Sequence, residues 1–218
     1  MIRSILFFAF GFFATSLLGQ TLEESLDKYI PEFHEADSVG HWLSQVERFA
    51  GLRRTHDDEW LPMYYEGLAR FNASYELNND GYGKQRDAQL DTAQALVNKA
   101  LEIGGDTTEL YILQGLVYQG RIWKNPMMYG GKYSNKSIHI LKEAMARDPQ
   151  NPRAPHMIGQ LQYHLPTFMG GGAEAAMPML ERAEKLYPAF EPEGAYTPDW
   201  GNGDLVVLLE KIRRSTDH

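Results

Sequence analysis

Leu113-Gln114-Gly115-Leu116-Val117-Tyr118, followed by Ser137-Ile138-His139-Ile140-Leu141-Lys142-Glu143-Ala144 and then Pro149, decides the fold, because its pattern returns along the chain. The second half reads small-x3-apolar-x2-Ala. It occurs as Ala93, Val97, Ala100, as Ser137, Leu141, Ala144 and as Ala176, Leu180, Ala183, offset by 44 and then 39 residues. Pro149 and Pro188 each stand five residues after the Ala, and Gly105 holds that place in the first copy. Ahead of each copy lies a segment bearing a small residue: Gly67-Leu68, Gly115-Leu116 and Gly159-Gln160-Leu161. Small residues let two helices approach closely, the apolar residue four positions on fills the contact, and Pro ends the helix. Alternating strand patterns are scarce beyond residue 21, so the chain reads as all-α.

This pattern resembles the tetratricopeptide repeat (TPR), with Gly in a first helix and Ala, large apolar, Ala, Pro in a second. The resemblance covers about residues 59–188 and implies a helix-turn-helix solenoid with units near 59–105, 107–149 and 152–188. The departure is length, since TPR units run about 34 residues and these run 39 to 48. The surplus is expected as long Gly-Gly insertions between the paired helices. Pro126-Met127-Met128-Tyr129-Gly130-Gly131 and Pro166-Thr167-Phe168-Met169-Gly170-Gly171 are themselves a repeat offset by 40. The chain also resembles small exported TPR-like proteins of Gram-negative bacteria. The marks are Trp60-Leu61-Pro62-x-Tyr64-Tyr65, Asn151-Pro152-Arg153-Ala154, Phe168-x-Gly170-Gly171-Gly172 and Pro198-x-Trp200-Gly201. That likeness implies a fold and a compartment and no settled activity.

Outward from the repeats, residues 38–53 carry Val39, Trp42, Leu43, Val46 and Phe49 at helical spacing. Residues 203–215 carry Leu205, Leu208, Leu209 and Ile212 on one face, with Asp204 as the expected cap. Both read as the helices that close a solenoid's ends. At the extreme N-terminus, Arg3 precedes an uncharged run whose apolar heart is Ile5–Leu18, and Glu23 and Glu24 follow. Residues 1–20 therefore read as a secretory signal peptide, with cleavage after Ser16 or Gly19. The run is shorter than the about 20 apolar residues that an anchor needs. The expectation is a periplasmic or secreted protein, not embedded in the membrane once cleaved, with residues 21–218 as one domain. Zero cysteines exclude disulfides and thiolate metal sites. A net charge of −8 with no basic run argues against nucleic acid as a partner.

Counting from the small positions places Arg153, His156, Gln160, Tyr163 and His164 on the concave face of the third unit. Glu109, Ile112, Leu116 and Gln119 take it in the second, and Tyr64, Leu68 and Asn72 in the first. Such a groove suits a peptide or a small polar ligand, and a protein or peptide partner is the expectation. Two further partner contacts are expected: the Trp60–Tyr65 segment, and the glycine loops at Met127, Met128, Tyr129, Gly130, Gly131, Phe168, Met169, Gly170 and Gly171. Apolar side chains on loops fold back or bind. Neither loop ends in the Gly-Lys-Ser/Thr of a phosphate loop. His56-Asp57-Asp58-Glu59 suits a helix start as well as a metal, and no histidine spacing or nucleophile context points to catalysis. The sequence therefore reads as an exported binding scaffold with no cofactor and no catalytic or metal residues. The alternatives are a small-molecule-binding TPR protein associated with a periplasmic transporter and, more remotely, a hydrolase using the concave histidines.

Overall fold

The computed structural model describes residues 21–79 and 81–216; the expected signal peptide lies outside the described residues. Among the described residues every regular element is helical. Three hairpins follow in order: α3 (Trp60–Asn79) with α4 (Gly83–Glu102), α5 (Thr107–Ile122) with α6 (Pro126–Arg147), and α7 (Arg153–His164) with α8 (Ala173–Leu186). Helices α1 (Leu22–His34) and α2 (Val39–Thr55) precede them, and α9 (Asn202–Thr216) follows. The first helices α3, α5 and α7 pack side by side, with their partners α4, α6 and α8 behind them.

The small-x3-apolar-x2-Ala residues explain that stacking. Ala93, Val97, Ala100, Ser137, Leu141, Ala144, Ala176, Leu180 and Ala183 are all fully buried. The glycines of the first helices seat the apolar residue of the second. A Cβ at residue 115 would lie 2.7 Å from Leu141 Cγ, and one at residue 159 would lie 2.6 Å from Leu180 Cγ. Ser137 Oγ adds a hydrogen bond to the Gly115 carbonyl at 3.0 Å. A buried cluster runs from Leu26 and Phe33 through Phe49, Tyr65 and Leu113 to Ile158, and a second joins α8 to α9.

Several expectations are corrected. Pro126–Gly131 is not an insertion loop but the opening of the 22-residue α6. Asn125 caps it by accepting from the Met128 amide, and Pro126 takes the first turn, where its missing N–H costs nothing. The surplus residues of this unit lengthen a helix. Its counterpart at Pro166–Gly172 is a true loop around a short 3-10 turn, Thr167–Met169. The loop needs its glycines: Gly170 and Gly172 hold φ of +79° and +102°, and a Cβ at residue 171 would lie 2.1 Å from the Leu165 carbonyl oxygen. Trp60–Tyr65 is no partner surface, since Met63, Tyr64 and Tyr65 are core. Asp204 sits inside the first turn of α9, not at its cap. The helix α1 was unforeseen, although Thr21 and Glu24 form the capping box that starts it.

Candidate functional site

Tyr64, Glu109, Arg153 and His156 do converge on the inner face of the first helices, as the counting requires. The face is not open. All four are buried, with Tyr64, Arg153 and His156 wholly so. The chain's own segment between Tyr187 and Gly201 lies across them as a strap. Arg153 donates to the Pro198 carbonyl and to Glu109 Oε1, and Asn151 Nδ2 donates to the same Glu109 oxygen at 2.8 Å. The guanidinium stacks 5.1 Å from the Phe190 ring centre and 5.5 Å from that of Trp200. Trp200 Nε1 donates to the Tyr64 hydroxyl at 2.9 Å, and the Tyr65 hydroxyl donates to the Tyr196 carbonyl at 3.0 Å. His156 Nδ1 shares a 3.1 Å hydrogen bond with the Tyr187 hydroxyl. Gly201, at φ +106°, passes so close that a Cβ there would lie 2.4 Å from that hydroxyl. The Pro198-x-Trp200-Gly201 mark is thus the strap's anchor.

Burial sets the protonation of this joint. It pushes Glu109 up to about 7 against the pull of Arg153, raises Tyr64 well above its ordinary value, and drives His156 down to about 4. A solute has no access to these groups, so their chemistry holds the strap. The expectation of an open stripe at Arg153 and His156 is corrected for that reason. The other expected groove residues do not join them. Gln119 ties α5 to its neighbours by donating to Ser137 Oγ and the Met157 carbonyl, each at 3.2 Å. Gln160 is half-buried. Tyr163 packs towards α9 beneath Lys211, 5.5 Å from its ring centre, and His164 is exposed beside it.

Of the expected loop contacts, the apolar Met127, Met128, Phe168 and Met169 are exposed, whereas Tyr129 and Gly131 are half-buried and Gly130 is buried. Met127, Met128 and Phe168 are 92%, 67% and 82% exposed, and Met169 is also exposed. The Met169 methyl bridges the two segments: it lies 3.6 Å from where a Cβ of residue 130 would sit and 3.9 Å from that of residue 131. The Met169 methyl thus lies against α6 at Gly130 and Gly131. Met127 stands three and four residues before these glycines, hence on the same side of the helix. Along α6 the patch continues into aromatic rings, with Tyr129 5.9 Å from Tyr133 and Tyr133 6.2 Å from Tyr118. Lys132 and Lys136 flank these rings, their ammonium groups 5.3 Å and 6.0 Å from the Tyr133 centre. Tyr133 and Lys136 were not foreseen. Their i, i+4 spacing from Tyr129 and Lys132 is the signal that places them, and it shows only when residues 126–131 are read as helix.

Among the described residues no group of three His, Asp or Glu could hold a metal ion, and no helix is long and apolar enough to cross a membrane. No family model and no curated protein matches the chain. Among solved structures it is similar to the HusA haemophore from Porphyromonas gingivalis, with a TM-score of 0.79 over 91% of this chain and 96% of that one, at 24% identity. The likeness is one of fold.

Proposed function

We propose that this chain is an exported small-molecule-binding protein, without catalysis, and that it captures a flat, largely apolar ligand of the porphyrin class on the Met127–Met128–Tyr129–Phe168–Met169 patch. One observation carries the reading: Met127, Met128, Phe168 and Met169 are exposed across two hairpins, where a monomer gains nothing by exposing them. Methionine and aromatic rings suit a planar apolar face, and Lys132 and Lys136 can meet carboxylates at its edge. The similar solved structure is a haemophore, which makes haem the first ligand to test, as cargo. Export rests on the signal-like residues 1–20. The three hairpins are taken as TPR-derived units of one domain over residues 21–218.

A peptide partner in the concave groove is less well supported, because the strap already fills that groove. The test is an absorbance titration of the purified protein with haem and with metal-free porphyrin. Met127→Glu with Phe168→Glu should weaken binding by about tenfold or more and leave helicity unchanged, since both side chains face solvent. Absence of a spectral shift with the parent protein would end this reading.

A further inference from the structure

Nine methionines occur in the chain, and their distribution is uneven. Met63 and Met157 are core, and Met145, Met177 and Met179 are half-buried. The described methionines that stand exposed are Met127, Met128 and Met169, and all three belong to the one patch. Leucine would supply the same apolar surface there and form helix as well. A thioether differs in one chemical respect: it can be oxidised under mild conditions and restored by reduction.

We propose that Met127, Met128 and Met169 are an oxidant-sensitive modification site, at which a hydroperoxide converts the patch from apolar to polar and releases what it holds. The inference rests on the patch being the binding surface. In the step, a sulfur lone pair attacks one peroxide oxygen. The O–O bond breaks and an S–O bond forms. With hydrogen peroxide the departing hydroxide takes up the remaining proton as water, so the thioether is oxidised by two electrons and the peroxide is reduced. At Met127 and Met128 the sulfoxide oxygen demands water where a ligand face would lie. At Met169 it acts on the protein itself, because that methyl packs against α6 at Gly130 and Gly131, and Gly130 is buried. A polar sulfoxide is poorly placed against that buried contact. The loop should therefore loosen at the amides that close it: Gly171 N–H to the Pro166 carbonyl and Gly172 N–H to the Gln162 carbonyl.

The experiment treats purified full-length protein and the variant M127L/M128L/M169L with limiting hydrogen peroxide. Three readouts follow: oxidised peptides by mass spectrometry, amide hydrogen exchange over residues 162–172, and affinity for protoporphyrin. In the parent, oxidation is expected at Met127, Met128 and Met169 while Met63 and Met157 are spared. Exchange at Gly171 and Gly172 should rise, affinity should fall by about tenfold, and methionine sulfoxide reductases should reverse both. The leucine variant, whatever its affinity before treatment, should show no change in affinity or in exchange with peroxide. Equal effects of peroxide on parent and variant would overturn the proposal, as would unchanged exchange and affinity in a fully oxidised parent. If untreated parent binds no porphyrin, the proposed function fails, and the mapping and exchange still decide whether the patch is the modified site.

Discussion

At the residue scale, His156 shows how far counting can go. Its place on the inner face beside Arg153 and Tyr64 followed from helical spacing alone, and the structure puts all three there. Their burial was not legible, because the strap that covers them has no periodic pattern and draws its sequence from turn-like residues such as Pro192, Gly194 and Gly201. The consequence is a pH dependence. The unfolded chain protonates His156 near 6.5, whereas the folded chain keeps it neutral down to about 4. Stability is therefore full above 6.5 and declines as pH falls through that window, by ~3 kcal/mol at pH 4. His156→Gln can keep a hydrogen bond to Tyr187 without titrating. Its urea midpoint should fall less than the parent's between pH 7 and pH 4.5, and parallel losses would show that His156 is not the neutral group.

At the element scale, legibility depended on whether close packing or a turn set the outcome. The recurring Ala, Leu and Gly positions are where helices touch, so chemistry and spacing exposed them together. Pro126–Gly131 misled because glycine pairs ordinarily end helices. Here a capping Asn125 starts α6 ahead of Gly130 and Gly131 and offsets part of the cost they bring. The Ala144→Leu and Ala183→Leu substitutions must each force two helices apart and should cost about 1–3 kcal/mol or more. Lys142 and Glu181 are exposed on the same two helices, and alanine there should shift stability by less than about 0.5 kcal/mol. Thermal melts of the four variants decide it, and equal shifts would mean that the packed faces are wrongly assigned.

At the scale of the whole molecule, the strap joins the two ends of the array. Tyr196 Oη donates to Asp27 of α1 at 2.9 Å, and Asp199 pairs with His34 at 3.3 Å. Tyr65 and Trp200 supply the anchoring hydrogen bonds beneath. Tyr65→Phe with Trp200→Phe removes both and leaves the Tyr64 hydroxyl without its donor, a loss of about 1–3 kcal/mol for each buried group left unpaired. The double variant should keep its helical circular dichroism while protease cleaves sooner within residues 191–195. Unaltered protease resistance would show that the strap is held by other contacts.

An array of stacked hairpins ordinarily unravels from either end, one neighbour at a time. Here the partners of Asp27 and Tyr65 lie beyond residue 195, so the loosest ends of the stack are fastened to each other. Thermal unfolding should then be a single concerted transition, without gradual fraying. The same arrangement delays assembly. During synthesis, which delivers the N-terminal helices first, Tyr64, Tyr65 and Asp27 wait unpaired until Tyr196 and Trp200 emerge. The closing step must search a long loop, which slows it. The inner face stays open for the whole of that interval, and the strap between α8 and α9 is what finally closes it.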